Sequence, residues 1–135
     1  MTRGLVHFMH GKESGPGGSK IVALAAVAQQ HGWDTASLDY SHTTDPAARL
    51  AQLLEACAGV RGPLLLAGSS MGGWVAAEAS MRLGARGVFL LAPALGIPAY
   101  PSQEPAVQGD HRLDARIPLL RELFGAFLSR RGAPA

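Results

Sequence analysis

The sequence has a single cysteine and no long uninterrupted apolar run. The first excludes an internal disulfide, and the second argues against an export signal or a membrane span. Cys57 cannot form an internal disulfide, and its place on the apolar side of a predicted helix favours a buried structural thiol over a reactive one. An export signal or a membrane span needs an apolar run that the sequence does not contain. The expectation is therefore a cytoplasmic protein without a membrane partner.

Lysine is also scarce, since it occurs only at positions 12 and 20, and no block of basic residues is present. The chain carries 12 Lys and Arg against 10 Asp and Glu, a net charge of +2. Because the arginines are spread along the chain, we interpret them as solvated surface and expect no nucleic-acid partner. With 47% hydrophobic and 16% charged residues, residues 1–135 are predicted to form one domain around one core.

Short apolar runs alternate with segments of helical periodicity along the whole chain. Ser19 and Asp45 are the predicted N-caps of the first two helices, and the proline-rich residues 92–110 are predicted to form a long loop. Such alternation predicts an α/β fold, a three-layer α/β/α sandwich on a mainly parallel sheet of about four strands. The predicted strands are 5–10, 35–40, 63–67 and 88–91, and the predicted helices are 20–31, 46–57, 71–83 and 117–128.

A serine stands at the junction between the third predicted strand and the third predicted helix, in the run Gly68-Ser69-Ser70-Met71-Gly72. At such a corner the side chain stands clear of the backbone, and the helix N-terminus offers N–H groups and a positive dipole end. Only Ser70 has a glycine two residues before it and two residues after it, where a β-carbon would collide with the neighbouring turn. Ser70 is therefore the predicted nucleophile.

A serine hydroxyl needs a base, and His111 is the best candidate among five histidines because it follows the serine in chain order and precedes a predicted helix. Taken alone, a histidine in a loop is more often an exposed surface residue than a catalytic base. Acyl transfer also needs two N–H donors for the oxyanion. Met71 supplies one by geometry, and Lys12, in the glycine-rich loop after the first strand, is our choice for the other. The alternative is that residues 11–18 are only a flexible connector.

Two further patterns bear on metals, anions and cofactors. His7 and His10 are three residues apart in a predicted strand, so they are expected to point to opposite faces and not to share a metal. Residues 15–20 resemble a phosphate-binding loop only loosely, because the Gly-Lys-Ser/Thr spacing is absent. Anion binding at the start of that helix remains a minor alternative. We expect neither a metal nor an organic cofactor.

Taken together, these motifs resemble those of a small, single-domain bacterial α/β-hydrolase of the short esterase or thioesterase type. The resemblance implies a reduced α/β-hydrolase fold and a small-molecule ester or thioester substrate. It implies Ser70 as nucleophile and His111 as general base, with oxyanion donors at the Met71 N–H and near the Lys12 N–H. The segments that carry it, in chain order, are 10–16, 68–73, 91–93 and 109–113.

The family's catalytic acid has no counterpart at the expected place in this sequence. In the family it ends a strand between the fourth strand and the histidine, whereas residues 92–110 are too few for the helices and strands of that segment. Asp110, Asp114 and Glu104 are the nearby carboxylates; Asp110 adjoins His111, and Asp114 shares a helix face with it if the stretch is helical. The alternative function is thus a catalytically impaired relative that serves as a binding or interaction module.

Loss of this segment would leave the fourth strand at the edge of the sheet, with apolar residues such as Phe89 exposed. Three candidates could cover it: the proline-rich loop, the C-terminal helix, or a partner chain, as in a homodimer.

Overall fold

The computed structural model describes residues 4–11, 15–91 and 117–130, and in these ranges four strands and four helices alternate. The helix that follows β3 begins two residues after the strand ends, which leaves Ser70 alone at the junction. The elements are β1 (Leu5–Met9), α1 (Ser19–Gln30), β2 (Asp34–Ser37), α2 (Pro46–Cys57), β3 (Leu64–Ser69), α3 (Met71–Leu83), β4 (Gly87–Leu91) and α4 (Ile117–Arg130).

The four described strands form one parallel sheet in the order β2-β1-β3-β4. Side chains alternate across it, so that Val6 and Phe8 of β1 pack into a cluster with α1 and α4, while Met9 packs into a second cluster with α2 and α3. The sheet is thus covered by helices on both faces. The predicted three-layer α/β fold with a parallel sheet is confirmed.

The C-terminal helix covers the apolar face of β4, one of the three candidates for that role. The Phe89 ring lies 5.0 Å from the Phe124 ring, edge-on, and 5.4 Å from the Phe127 ring. Each such aromatic pair contributes about 0.5–1.5 kcal/mol beyond the burial of its area. Phe89 is therefore partly buried within the described part of this single chain.

Several predicted boundaries differ from the observed ones by one to three residues, and two of these differences have a structural cause. β2 ends at Ser37 rather than Tyr40, because the Tyr40 N–H donates to the His10 side chain instead of joining a strand ladder. Ser19 is not a cap but the first residue of α1; the capping residue is Gly18, whose carbonyl accepts from the Val22 N–H at 2.9 Å. The predicted cap at Asp45 is confirmed, since its carboxylate accepts from the Ala47 N–H.

None of the helices in the described ranges combines the length and the apolar character needed to cross a bilayer.

Candidate active site

Ser70 has a backbone conformation that L-residues rarely adopt, with φ 54° and ψ −121°. Among the described residues no other non-glycine residue has a positive φ. The Ser70 N–H donates to the Leu91 carbonyl at the end of β4 (3.0 Å), and the Ser70 carbonyl accepts from the Gly73 N–H (2.9 Å). Backbone strain of this kind costs about 1–3 kcal/mol and persists only where the surroundings fix it, as these two bonds do here.

The glycines that flank Ser70 are required by close backbone packing. A β-carbon on Gly68 would lie 2.2 Å from the Gly72 carbonyl oxygen. One on Gly72 would lie 2.2 Å from the Met9 carbonyl oxygen and 2.5 Å from that of His10. Since backbone atoms cannot rotate away as a side chain can, neither glycine can be replaced without moving α3. The predicted collision of a β-carbon with the neighbouring turn is confirmed.

Ser70 is half-buried and stands at the carboxyl end of β3, directly before α3. Met71 is the first residue of that helix, where a backbone N–H has no acceptor inside the helix. The positive end of the helix dipole lies at the same point. The corner therefore holds a hydroxyl next to a donor that suits a negatively charged oxygen.

His10 follows β1 beside this corner and is engaged through both ring nitrogens. Its Nε2 lies 2.8 Å from the Tyr40 backbone nitrogen, which can only donate, so the ring proton belongs on Nδ1. Nδ1 in turn donates to the Gly11 carbonyl at 2.8 Å. Burial lowers the pKa of His10, in agreement with a neutral ring. His10 is thus a structural histidine, unsuited to accept the serine proton.

The expectation that His7 and His10 point to opposite faces is wrong. β1 ends at Met9, and beyond the strand the His10 ring turns back to lie 5.7 Å from the Tyr40 ring. The His7 Nε2 lies 2.9 Å from the Tyr40 hydroxyl on the same side. Within the described ranges, no three His, Cys, Asp or Glu side chains come together as a metal site would require.

Three buried groups on the same side of the sheet, His7, Tyr40 and Cys57, are neutral because burial disfavours their charged forms. Burial lowers the pKa of His7 to about 4 and raises the pKa of the Tyr40 hydroxyl. The Cys57 sulfur lies 3.8 Å from the His7 Nδ1, and burial raises the pKa of this thiol as well. A thiol is reactive only as the thiolate, so Cys57 is the buried, unreactive cysteine that the sequence predicts.

Arg49, on α2, is a buried cation that the sequence reasoning missed. Its Nη1 donates to the Gly11 carbonyl at 2.9 Å and its Nε donates to the Thr43 carbonyl at 2.7 Å. Burial lowers the pKa of its guanidinium. The signal available in the sequence was its place four residues before Leu53, on the buried stripe of the helix.

Of the predicted site residues, Ser70 and Met71 lie together at the corner between β3 and α3. The predicted base and the second oxyanion donor, His111 and Lys12, lie outside the described residues, and so do the candidate acids. Those acids are Asp110, Asp114 and Glu104.

The chain is similar to solved α/β-hydrolase structures. A protein from Xanthomonas campestris pv. campestris, placed in the alpha/beta superfamily of hydrolases, aligns with a TM-score of 0.84 at 26% identity, over 95% of this chain and 99% of that one. Alpha/beta hydrolase domain-containing protein 10 from mouse aligns at 0.58 and 21% identity, and Est1E from Butyrivibrio proteoclasticus, solved with ferulic acid bound, at 0.61 and 20%.

The last two similarities cover 77% and 81% of this chain but only 47% and 51% of those proteins, and at such identity they show the fold alone. No curated protein matches the chain significantly. Residues 5–103, well over half of the chain, match the model of the "Uncharacterised protein family (UPF0227)". The chain is therefore a small α/β-hydrolase-like protein that belongs to the UPF0227 family.

Proposed function

We propose that this protein hydrolyses carboxylic esters or thioesters through an acyl-enzyme formed on Ser70. The observation that carries the proposal is the conformation of Ser70, the sole non-glycine residue with positive φ in the described part of the chain. Strain of this kind concentrates at functional sites, because packing alone gives no reason to keep it. Glycine would fit the same backbone without strain, so the serine is retained for its hydroxyl.

In the proposed reaction, the Ser70 hydroxyl oxygen attacks the carbonyl carbon of the substrate while His111 takes the hydroxyl proton. The N–H groups of Met71 and Lys12 stabilise the negative charge on the carbonyl oxygen. The tetrahedral adduct then expels the alcohol or thiol, which receives the proton from His111. Water attacks the acyl-enzyme by the same sequence of steps and releases the acid, which restores the free serine.

Two observations support this assignment of roles. The engagement of His10 by two backbone groups removes a histidine beside the corner from the candidates for the base, which favours His111. The similarity to the Xanthomonas campestris protein of the alpha/beta superfamily, 26% identical over 95% of this chain, supports hydrolase chemistry. The proposed setting is the cytoplasm, with a small-molecule substrate and no nucleic-acid or membrane partner.

Turnover of short-chain activated esters and thioesters by the purified protein tests the proposal. Ser70→Ala is expected to reduce turnover to the rate of the buffer. Ser69→Ala is the matched control, because it deletes the adjacent hydroxyl, which is buried at the end of β3. Equal turnover by the wild type and Ser70→Ala would exclude Ser70 as the nucleophile.

A catalytically impaired relative, acting as a binding module, is the second candidate. The short interval between β4 and His111, residues 92–110, favours it, because loss of the orienting acid from a serine triad costs several powers of ten in rate. Labelling with a fluorophosphonate separates the two functions. A stoichiometric adduct on Ser70 supports the hydrolase, and the absence of any adduct supports the binding module.

A further inference from the structure

The turn formed by His10 and Gly11 lies directly against the start of α3. β1 pairs with β3 so that Met9 is opposite Gly68. The atoms that would meet a β-carbon on Gly72 are the carbonyl groups of Met9 and His10. The chain segment that leads to the proposed second oxyanion donor therefore touches the serine corner, and any movement of this turn would change the geometry around Ser70.

The Gly11 carbonyl is held by donors from two separate parts of the chain. Arg49 Nη1 approaches it at 2.9 Å from α2, and His10 Nδ1 approaches it at 2.8 Å from within the turn. The guanidinium is fixed in its turn by the bond from Nε to the Thr43 carbonyl, 2.7 Å long. Because a guanidinium is planar and its donors form a rigid fork, these two bonds define its orientation and that of the carbonyl it holds.

The burial of Arg49 indicates a role beyond packing. Its side chain is 1% exposed, and taking a cation out of water costs several kcal/mol. Leu50 and Leu53 fill the same buried face of α2, so an apolar residue would fit there without this cost. The guanidinium provides what an apolar side chain cannot, which is charged donors for the carbonyl groups of the turn.

We infer that Arg49 is a positioning residue for the site around Ser70, because it holds the Gly11 carbonyl of the turn that packs against the start of α3. Any shift of this carbonyl moves the turn, and through the Met9 and His10 carbonyls it moves the start of α3, where the Met71 N–H and Ser70 lie. Arg49 acts through this turn and not on the substrate. The inference rests on the acyl-enzyme mechanism proposed for Ser70.

Three variants test the inference. Arg49→Met keeps an unbranched, flexible apolar side chain, shorter than arginine, and removes every donor. Arg49→Lys keeps one charged donor group that cannot bridge both carbonyls. Arg61→Met makes the same change at an exposed position and is the matched control. Arg49→Met is expected to lower kcat by about 10- to 100-fold, less than the roughly 10²- to 10³-fold loss on deletion of an oxyanion donor. KM is expected to stay within about threefold, and Arg49→Lys is expected to fall between the wild type and Arg49→Met.

Two readouts separate positioning from a purely structural role. The rate is expressed per site labelled at the end point by a fluorophosphonate, which corrects for any loss of folded protein. A trifluoromethyl ketone forms a tetrahedral adduct whose oxyanion occupies the hole, so its inhibition constant is expected to rise by the same factor as kcat/KM falls. A variant that is only less stable would change neither of them.

Three results would overturn the inference. If turnover depends on Ser70 while Arg49→Met keeps the wild-type kcat per labelled site and inhibitor affinity, the inference alone fails. If turnover does not depend on Ser70, the proposed mechanism fails and the inference fails with it. Should Arg49→Met not fold, Arg49→Lys decides, and an undiminished kcat per labelled site in that variant refutes the role of Arg49.

Discussion

Gly72→Ala provides a direct test of how the corner is packed. The added β-carbon would lie 2.2 Å from the Met9 carbonyl oxygen, and the two must separate by about 0.8 Å to reach 3.0 Å, the lower limit for real contacts. Overpacking of this kind costs about 1–3 kcal/mol, and in a domain of this size each kcal/mol lowers Tm by roughly 3–6 °C. A displacement near 1 Å at a reacting centre lowers the rate by about 10²-fold.

The assay compares thermal unfolding and ester turnover of Gly72→Ala with those of the wild type and of Gly59→Ala. Gly59 is the matched control, since a β-carbon there meets nothing within 4 Å. We expect Gly72→Ala to lose stability and to lose activity by a larger factor than the stability loss alone would give at 25 °C. If Gly72→Ala keeps the Tm and turnover of the wild type, the packing of α3 on the end of β1 is not what positions Ser70.

Three more predictions concern the strain, the buried histidine and the aromatic face. Ser70→Gly relieves about 1–3 kcal/mol of backbone strain in the folded state, while the extra freedom of glycine stabilises the unfolded state by about 0.5–1 kcal/mol. Urea unfolding should therefore show a net gain in stability of about 1 kcal/mol, together with loss of turnover. Ser70→Ala, which keeps the β-carbon, should show no such gain. The folded pKa of His7, about 4, lies below its ordinary 6.5, so the unfolded chain binds more protons between these values. The free energy of unfolding is therefore not reduced by His7 above pH 7, and it falls by about 3 kcal/mol as the pH drops to about 4. In His7→Leu, the free energy of unfolding measured with urea should lose about 3 kcal/mol less over this pH range. Phe124→Ala should lower the free energy of unfolding by about 3–5 kcal/mol in the same assay, because the Phe124 ring packs on Phe89. Leu123→Ala, at an exposed position of the same helix, should lower it only slightly. Equal losses in the two variants would contradict the role of α4 as the cover of β4.

Local patterns in the sequence were sufficient to predict the sheet, its helices and the corner. The alternation of apolar strands with helical stripes specifies a parallel sheet covered on both faces, because parallel neighbours need crossover connections. The glycines around Ser70 predict a close approach whose partners the structure identifies as backbone atoms of Gly72, Met9 and His10. Each of these signals lies within one element or one turn.

The contacts that the sequence reasoning missed join distant parts of the chain. β2 ends before Tyr40 because the Tyr40 N–H donates to the side chain of His10, thirty residues away in the chain. In the sequence Arg49 resembles an ordinary surface cation of a helix. Only the fold shows that its guanidinium donates to the carbonyls of Gly11 and Thr43. Neither relation changes the local periodicity of the sequence, so only the assembled fold could reveal it. The buried stripe that Arg49 shares with Leu53 was the one local indication.

A crystal structure of the protein after reaction with a fluorophosphonate tests most directly whether Ser70 is a nucleophile with a main-chain oxyanion hole. The proposed mechanism predicts a phosphorus bonded to the Ser70 hydroxyl oxygen and a phosphonyl oxygen about 2.7–3.1 Å from the Met71 nitrogen. An unmodified Ser70, or an adduct whose phosphonyl oxygen points away from the start of α3, would contradict it.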